Sequence, residues 1–78
     1  MNGYNNRGVY DGYWEEYWLN GNLWFRGNYD DGEYSGYWET YHFNGNLLCK
    51  GEYNSGSCDG YWLWYNDDGG LFGKQFYL

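Results

Sequence analysis

Three Gly-Tyr-Trp triplets, Gly12-Tyr13-Trp14, Gly36-Tyr37-Trp38 and Gly60-Tyr61-Trp62, recur at an unbroken interval of 24 residues. Tyr17, Tyr41 and Tyr65 keep the same interval, as do Leu23, Leu47 and Leu71, and Tyr29, Tyr53 and Tyr77. Residues 12–35 and 36–59 agree at 12 of 24 positions without a gap, and residues 60–78 match 12–30 at 7 of 19. Such a period marks a chain built from one small unit used several times. Residues 7–12 resemble Arg26-Gly27-Asn28-Tyr29 with a shortened loop, so the N-terminus reads as a half-repeat. The chain divides as one domain over 1–78: half-repeat 1–11, then repeats 12–35, 36–59 and 60–78.

Each unit reads as a β-hairpin. Fourteen Gly and no Ala argue against helices. Six Trp, twelve Tyr and four Phe argue against disorder. Asn20-Gly21, Asn44-Gly45 and Asp68-Gly69 are favoured pairs for two-residue type I′ turns. Turns there place Trp14 opposite Gly27 and Trp38 opposite Gly51, each ring covering bare backbone. Glu15 then faces Arg26 and Glu39 faces Lys50, while the third hairpin departs, with Leu63 facing Lys74 and Trp62 facing Gln75. Stretches such as Asp30-Asp31-Gly32-Glu33-Tyr34-Ser35-Gly36 read as loops between hairpins. The expected fold is all-β, a single-layer antiparallel meander of three 24-residue hairpin repeats plus an N-terminal strand, about seven strands in all.

Strand alternation sorts the side chains. Trp14, Glu16, Trp18, Leu23, Phe25, Gly27 and Tyr29, with Trp38, Leu47, Gly51, Tyr53, Trp62, Leu71 and Tyr77, fall on one face, the expected core. Tyr13, Glu15, Tyr17, Trp24, Arg26 and Asn28, then Tyr37, Tyr41 and Leu48, then Tyr61, Tyr65 and Phe72, fall on the other. A single sheet leaves this second face and both edge strands open, and contiguous exposed aromatics mark a binding surface.

The formal net charge of −7 disfavours nucleic acid backbones and anionic membranes, and suits a basic surface on another protein or solubility alone. The candidate partner-binding residues are the tyrosines Tyr13, Tyr17, Tyr37, Tyr41, Tyr61 and Tyr65, the anchors Trp24 and Phe72, and the acids Asp30, Asp31 and Glu33. No metal or cofactor is expected. Cys49, Cys58 and His42 fall short of a zinc set, and Asp67-Asp68-Gly69-Gly70 falls short of a calcium loop. Glu15 with Glu16 or Glu39 has no pocket to tune an acid–base pair, so no catalytic residue is assigned. With neither an apolar span nor a leader pattern at Met1–Asn6, a cytoplasmic protein with free thiols is expected.

The pattern Gly-Tyr-Trp-x-x-Tyr-x-x-Asn-Gly-Asn-Leu-x-x-x-Gly-x-Tyr-x-x-Gly, seen best in residues 36–56, resembles the MORN family (membrane occupation and recognition nexus). The nearer match is the variant form common in small bacterial antitoxin-like proteins, and it covers residues 12–78. The resemblance implies hairpins stacked into an extended sheet, roles in protein binding, scaffolding or dimerisation, and no fixed catalytic set. The expected function is a non-enzymatic protein-binding module, a small acidic inhibitor of antitoxin or phage counter-defence type that occludes a basic surface of its target. A carbohydrate-binding module using aromatic platforms is the alternative, and a homodimer through an edge strand or the aromatic face stays open.

Overall fold

Seven strands follow one another across a single sheet in the computed structural model, which describes residues 2–78. They are β1 (Gly3–Tyr4), β2 (Tyr10–Tyr17), β3 (Leu23–Asp30), β4 (Glu33–Tyr41), β5 (Leu47–Asn54), β6 (Ser57–Tyr65) and β7 (Leu71–Tyr77). Every neighbouring pair is antiparallel, and the backbone spans 41 × 36 × 11 Å, the thickness of one layer. The meander is therefore all-β and open at both edges.

The turns differ from the expected ones. Gly21 N donates to Trp18 O at 2.9 Å and Trp18 N donates to Asn22 O at 2.8 Å, which closes a three-residue loop, Leu19-Asn20-Gly21. Only Gly21 has positive φ (92°), and Asn20 does not, so this is a type I turn ending in a left-handed glycine. The same bonds close the turns at His42–Asn46, Asn66–Gly70 and Asn5–Val9. The two-residue type I′ turns lie at the other end of the sheet from Leu19-Asn20-Gly21, the end that also holds the Asn5–Val9 turn. Asp31-Gly32 and Ser55-Gly56 both have positive φ and join Asp30 to Glu33 and Asn54 to Ser57. The stretch read as a loop after Asp30 is thus mostly strand β4, and the sheet runs through it unbroken.

The extra loop residue shifts pairing by one position next to the turn, and a bulge in β3 removes the shift. Tyr17 pairs with Leu23, yet Glu16 pairs with Phe25, leaving Trp24 as the added residue. Leu48 and Phe72 hold the same place in β5 and β7. Beyond the bulge the expected register holds, with Trp14 opposite Gly27 and Trp38 opposite Gly51. Near the turn the faces exchange. Leu23, Leu47 and Leu71 pair with Tyr17, Tyr41 and Tyr65 and belong to the tyrosine face, not the core. Trp24 packs instead against Trp18 and Phe25, with ring centroids 5.0 and 5.1 Å apart.

The core is a row of three indoles. Trp14, Trp38 and Trp62 are 5%, 5% and 4% exposed and are the buried apolar side chains among the described residues. Each ring lies across the strand before its own rather than over its register partner. A Cβ on Gly27 would stand 2.2 Å from Cδ2 of Trp38, and one on Gly51 would stand 2.2 Å from Cδ2 of Trp62. Trp38 Nε1 donates to Asn28 O, and Trp62 Nε1 to Glu52 O, both at 3.0 Å. Trp14 Nε1 does the same to Gly3 O of β1 at 3.1 Å. Each hairpin is thereby roofed by the next.

The N-terminal half-repeat is also placed differently. Tyr4 pairs with Tyr10 as Tyr29 pairs with Tyr34, and Arg7-Gly8 forms part of the turn between them. Arg7 is therefore no counterpart of Arg26. Asn2 closes the outer edge of β2: its Nδ2 donates to Glu15 O at 2.8 Å, and its Oδ1 accepts from Glu15 N at 2.7 Å.

Asparagines stitch the three-residue turns together. Asn20 and Asn22 both donate to Phe43 O, at 2.8 and 3.0 Å. Asn44 and Asn46 both donate to Asp67 O, at 2.7 and 2.8 Å. The Asn-Gly-Asn spacing thus serves two purposes, turning the chain and joining one turn to the next.

Candidate functional site

Alternation along β2, β4 and β6 brings Tyr13 and Tyr17, Tyr37 and Tyr41, and Tyr61 and Tyr65 to one face. Between these pairs runs a single cross-strand row, Glu15, Arg26, Glu39, Lys50, Leu63 and Lys74, each opposite the next. Three of the four cations of the chain stand in it. Glu15 stands opposite Arg26 as expected, and Arg26 Nε donates to Glu39 at 2.5 Å on its other side, across to β4. Lys74 lies 5.2 Å from the ring centroid of Tyr61, a cation–π contact. Where the third hairpin has Leu63 instead of an acid, the ring takes up the charge.

Two of the tyrosine pairs clamp the carboxylate between them. Tyr13 and Tyr17 donate to Glu15 at 2.8 and 2.7 Å. Tyr37 and Tyr41 donate to Glu39 at 2.7 and 2.6 Å. Burial pulls Glu39 upward, but hydrogen bonds from Tyr41, Tyr37 and Arg26 outweigh it and leave its carboxyl below the usual range. Burial and the bond to Glu39 together push the hydroxyls of Tyr37 and Tyr41 up. A carboxylate held lower in the folded state than in the unfolded one stabilises the fold above the ordinary carboxylate value of 4.5, and loses that contribution as pH falls through its folded value. Glu39→Gln is accordingly expected to cost about 1–2 kcal/mol at neutral pH. It should also flatten the loss of stability below about pH 4.5, as read by urea unfolding across pH. Parallel acid limbs for the two proteins would remove the clamp from the account.

Shallow grooves separate successive tyrosines. One of about 220 Å³ lies between Tyr13 and Tyr37, beside Arg26, Gly27 and Asn28. Its counterpart of about 180 Å³ lies between Tyr37 and Tyr61, beside Lys50, Gly51 and Leu63. Gly27 and Gly51 border these grooves on the side away from the indoles they receive. Tyr17, Tyr37 and Tyr61 are exposed, and Tyr13, Tyr41 and Tyr65 half-buried.

The remaining candidates are dispersed. Trp24 leaves this face through the bulge, Phe72 takes the same bulge position in β7 and leaves it likewise, and both are exposed. Asp31 turns toward the β1–β2 loop, where Arg7 forms an ion pair with it and Asn5 donates to it at 2.7 Å. These two contacts, in that order, lower its carboxyl. Asp30 and Glu33 pair across β3 and β4 at the type I′ end of the tyrosine face. Glu52 and Asp59, which the sequence reading did not single out, pair in the same way across β5 and β6. Among the described residues none of these four acids forms an ion pair. The signal for Glu52 and Asp59 lay in Ser55-Gly56, which as a tight turn sets them opposite each other.

Cys49 and Cys58 are both free, and burial raises the Cys49 thiol, so it is held in its unreactive form. His42 Nε2 lies 2.8 Å from Tyr65 O, in the place that Trp18 Nε1 takes toward Tyr41 O. Among the described residues no helix is long and apolar enough to cross a membrane. No family model matches the chain, and no curated protein or solved structure matches it either.

Proposed function

We propose that the chain is a non-enzymatic protein-binding module, a small acidic inhibitor of antitoxin or phage counter-defence type that acts in the cytoplasm. Its tyrosine face covers a basic functional surface of a target protein. One observation carries the reading. Asp30 faces Glu33, and Glu52 faces Asp59, two cross-strand pairs of like charge left unpaired beside an open row of tyrosines. Like charges directly opposite each other destabilise a sheet, and a basic partner relieves that repulsion on binding. Tyrosine adds large contact area at small entropic cost. The resemblance of residues 36–56 to MORN repeats supports the same reading, since that family is built for protein binding.

Affinity capture on the purified chain, with mass spectrometry and then association kinetics, tests it. The expected result is a protein partner whose association slows at least about tenfold between low and high salt. Glu52→Lys with Asp59→Lys should slow association comparably at low salt. Tyr17, Tyr41 and Tyr65 changed to Ala should release the partner without loss of the sheet. Recovery of no protein at any salt, or of one indifferent to both sets of changes, would sink the proposal.

A further inference from the structure

The opposite, tryptophan face holds a hollow of about 320 Å³. Its wall is aromatic, made by Trp24, Phe25, Tyr29, Tyr34, Trp38 and Tyr53, and its one small residue is Thr40. The repeat explains why it is empty. Residue 64, one interval after Thr40, is Trp64, whose ring centroid lies 6.2 Å from that of Trp62. The wall positions of Trp24, Phe25 and Tyr34 become Leu48, Cys49 and Cys58 in the next repeat. The combination of an aromatic wall and a small central residue thus arises where repeats 12–35 and 36–59 meet, with Thr40 at the position that is Glu16 in the first repeat and Trp64 in the third.

The hydroxyls on this wall are free. Tyr13, Tyr17, Tyr37 and Tyr41 on the other face donate to carboxylates. Among the described residues no side-chain hydrogen bond engages the hydroxyls of Tyr29, Tyr34 or Tyr53, and none of them is sealed from water. Burial pushes Tyr53 up to about 12 and raises Tyr29 as well, so both stay protonated donors at neutral pH. None of the lining residues carries a charge at that pH, which disfavours an ionic ligand. Flat rings offer an apolar plane, and three uncommitted hydroxyls both donate and accept.

We propose that this hollow binds one uncharged pyranose ring, as a glycoside or the terminal residue of a glycan, stacked on the aromatic wall and hydrogen-bonded by Tyr29, Tyr34 and Tyr53. The site lies on the face that the protein-binding reading leaves unused, so either can fail without the other.

Titration of the ¹⁵N-labelled full chain with methyl gluco-, galacto- and mannopyranoside and with N-acetylglucosamine, read on the six indole N–H signals, tests it. A saturable shift of the Trp24 and Trp38 signals is expected with at least one sugar, with a dissociation constant on the order of 1–10 mM for so small a ligand. That constant should not change between about 0.1 and 0.5 M salt. Thr40→Trp fills the hollow with a residue the repeat already carries at position 64, and should weaken binding at least tenfold with the melting curve preserved. Tyr34→Phe keeps the ring and removes a hydroxyl, and should weaken binding several-fold even if Thr40→Trp proves unstable. No shift with any sugar up to about 50 mM, or undiminished binding by both variants, would overturn the proposal. So would movement of the same signals on raising the protein concentration alone, which would make a second copy the occupant.

Discussion

Gly51→Ala will destabilise the sheet by about 3 kcal/mol or more, lowering the melting temperature on the order of 12–24 °C. The added Cβ would meet Cδ2, Cε2 and Cγ of Trp62 at 2.2, 2.3 and 2.6 Å. Backbone strain plays no part, since Gly51 is not among the residues with positive φ. At a position with free space the same change is worth about 0.4–1 kcal/mol in the opposite direction, because alanine restricts the unfolded chain. The ring has no easy retreat. Trp62 is 4% exposed, donates to Glu52 O at 3.0 Å, and meets Tyr53 edge to face with centroids 4.8 Å apart. Gly73→Ala is the control, because its Cβ would come no nearer than 3.8 Å to Trp64, ordinary contact. Thermal and urea unfolding of the two variants side by side decide the matter. An equal effect of both changes would mean that the indole does not rest on the glycine.

Trp38→Ala, in the middle of the row, will cost about 3–5 kcal/mol, a large share of the total stability of a domain this small. Its ring stacks with Phe25 at 5.5 Å and meets Tyr29, Tyr34 and Tyr53 edge to face at 5.1, 5.0 and 6.0 Å. Its removal uncovers Gly27, leaves Asn28 O without its indole donor, and strips one wall of four other rings at once. Trp38→Phe separates these effects, since it keeps an aromatic ring but loses the donor, and should cost about 1–3 kcal/mol. Equilibrium unfolding of the three proteins gives the order wild type, Phe, Ala. Should the alanine variant match the phenylalanine one, the hydrogen bond would outrank the ring, contrary to the packing described.

The architecture was legible because the 24-residue interval exposes it directly, and the register of Trp14 on Gly27 and Trp38 on Gly51 followed from the turns. That register is right although the turn type was not. An Asn-Gly pair suits a two-residue turn, with both residues left-handed, and equally a three-residue turn with glycine alone left-handed. Local sequence does not distinguish them. The unbroken apolar run Leu23-Trp24-Phe25 hides the bulge that restores the pairing, because two adjacent apolar residues fit either face. Hence simple alternation places Leu23 and Trp24 on each other's sides. The acidic and small neighbours of Asp31-Gly32 and Ser55-Gly56 read as solvated loop, which hides the two tight turns. The six tyrosines of the candidate face were visible from alternation alone. The row from Glu15 to Lys74 was only half visible, because it needs the pairing of β3 with β4 and of β5 with β6, which those overlooked turns control. For the same reason the hairpin alone points to Trp14 as the roof over Gly27: a glycine within a sheet has two neighbouring strands, and the hairpin names only one.

Positions 27 and 51 hold glycine to receive the following indole, and the next member of that series is Gln75. A head-to-tail fibre of this protein would require Trp14 of an incoming copy to lie flat on residue 75, where a glutamine side chain already stands. At the other end Trp14 is engaged with Gly3, and the carboxamide of Asn2 occupies the main chain of Glu15. The rule that adds each hairpin to the last therefore breaks at Gln75, where an indole could rest on the main chain only after the glutamine side chain had moved aside.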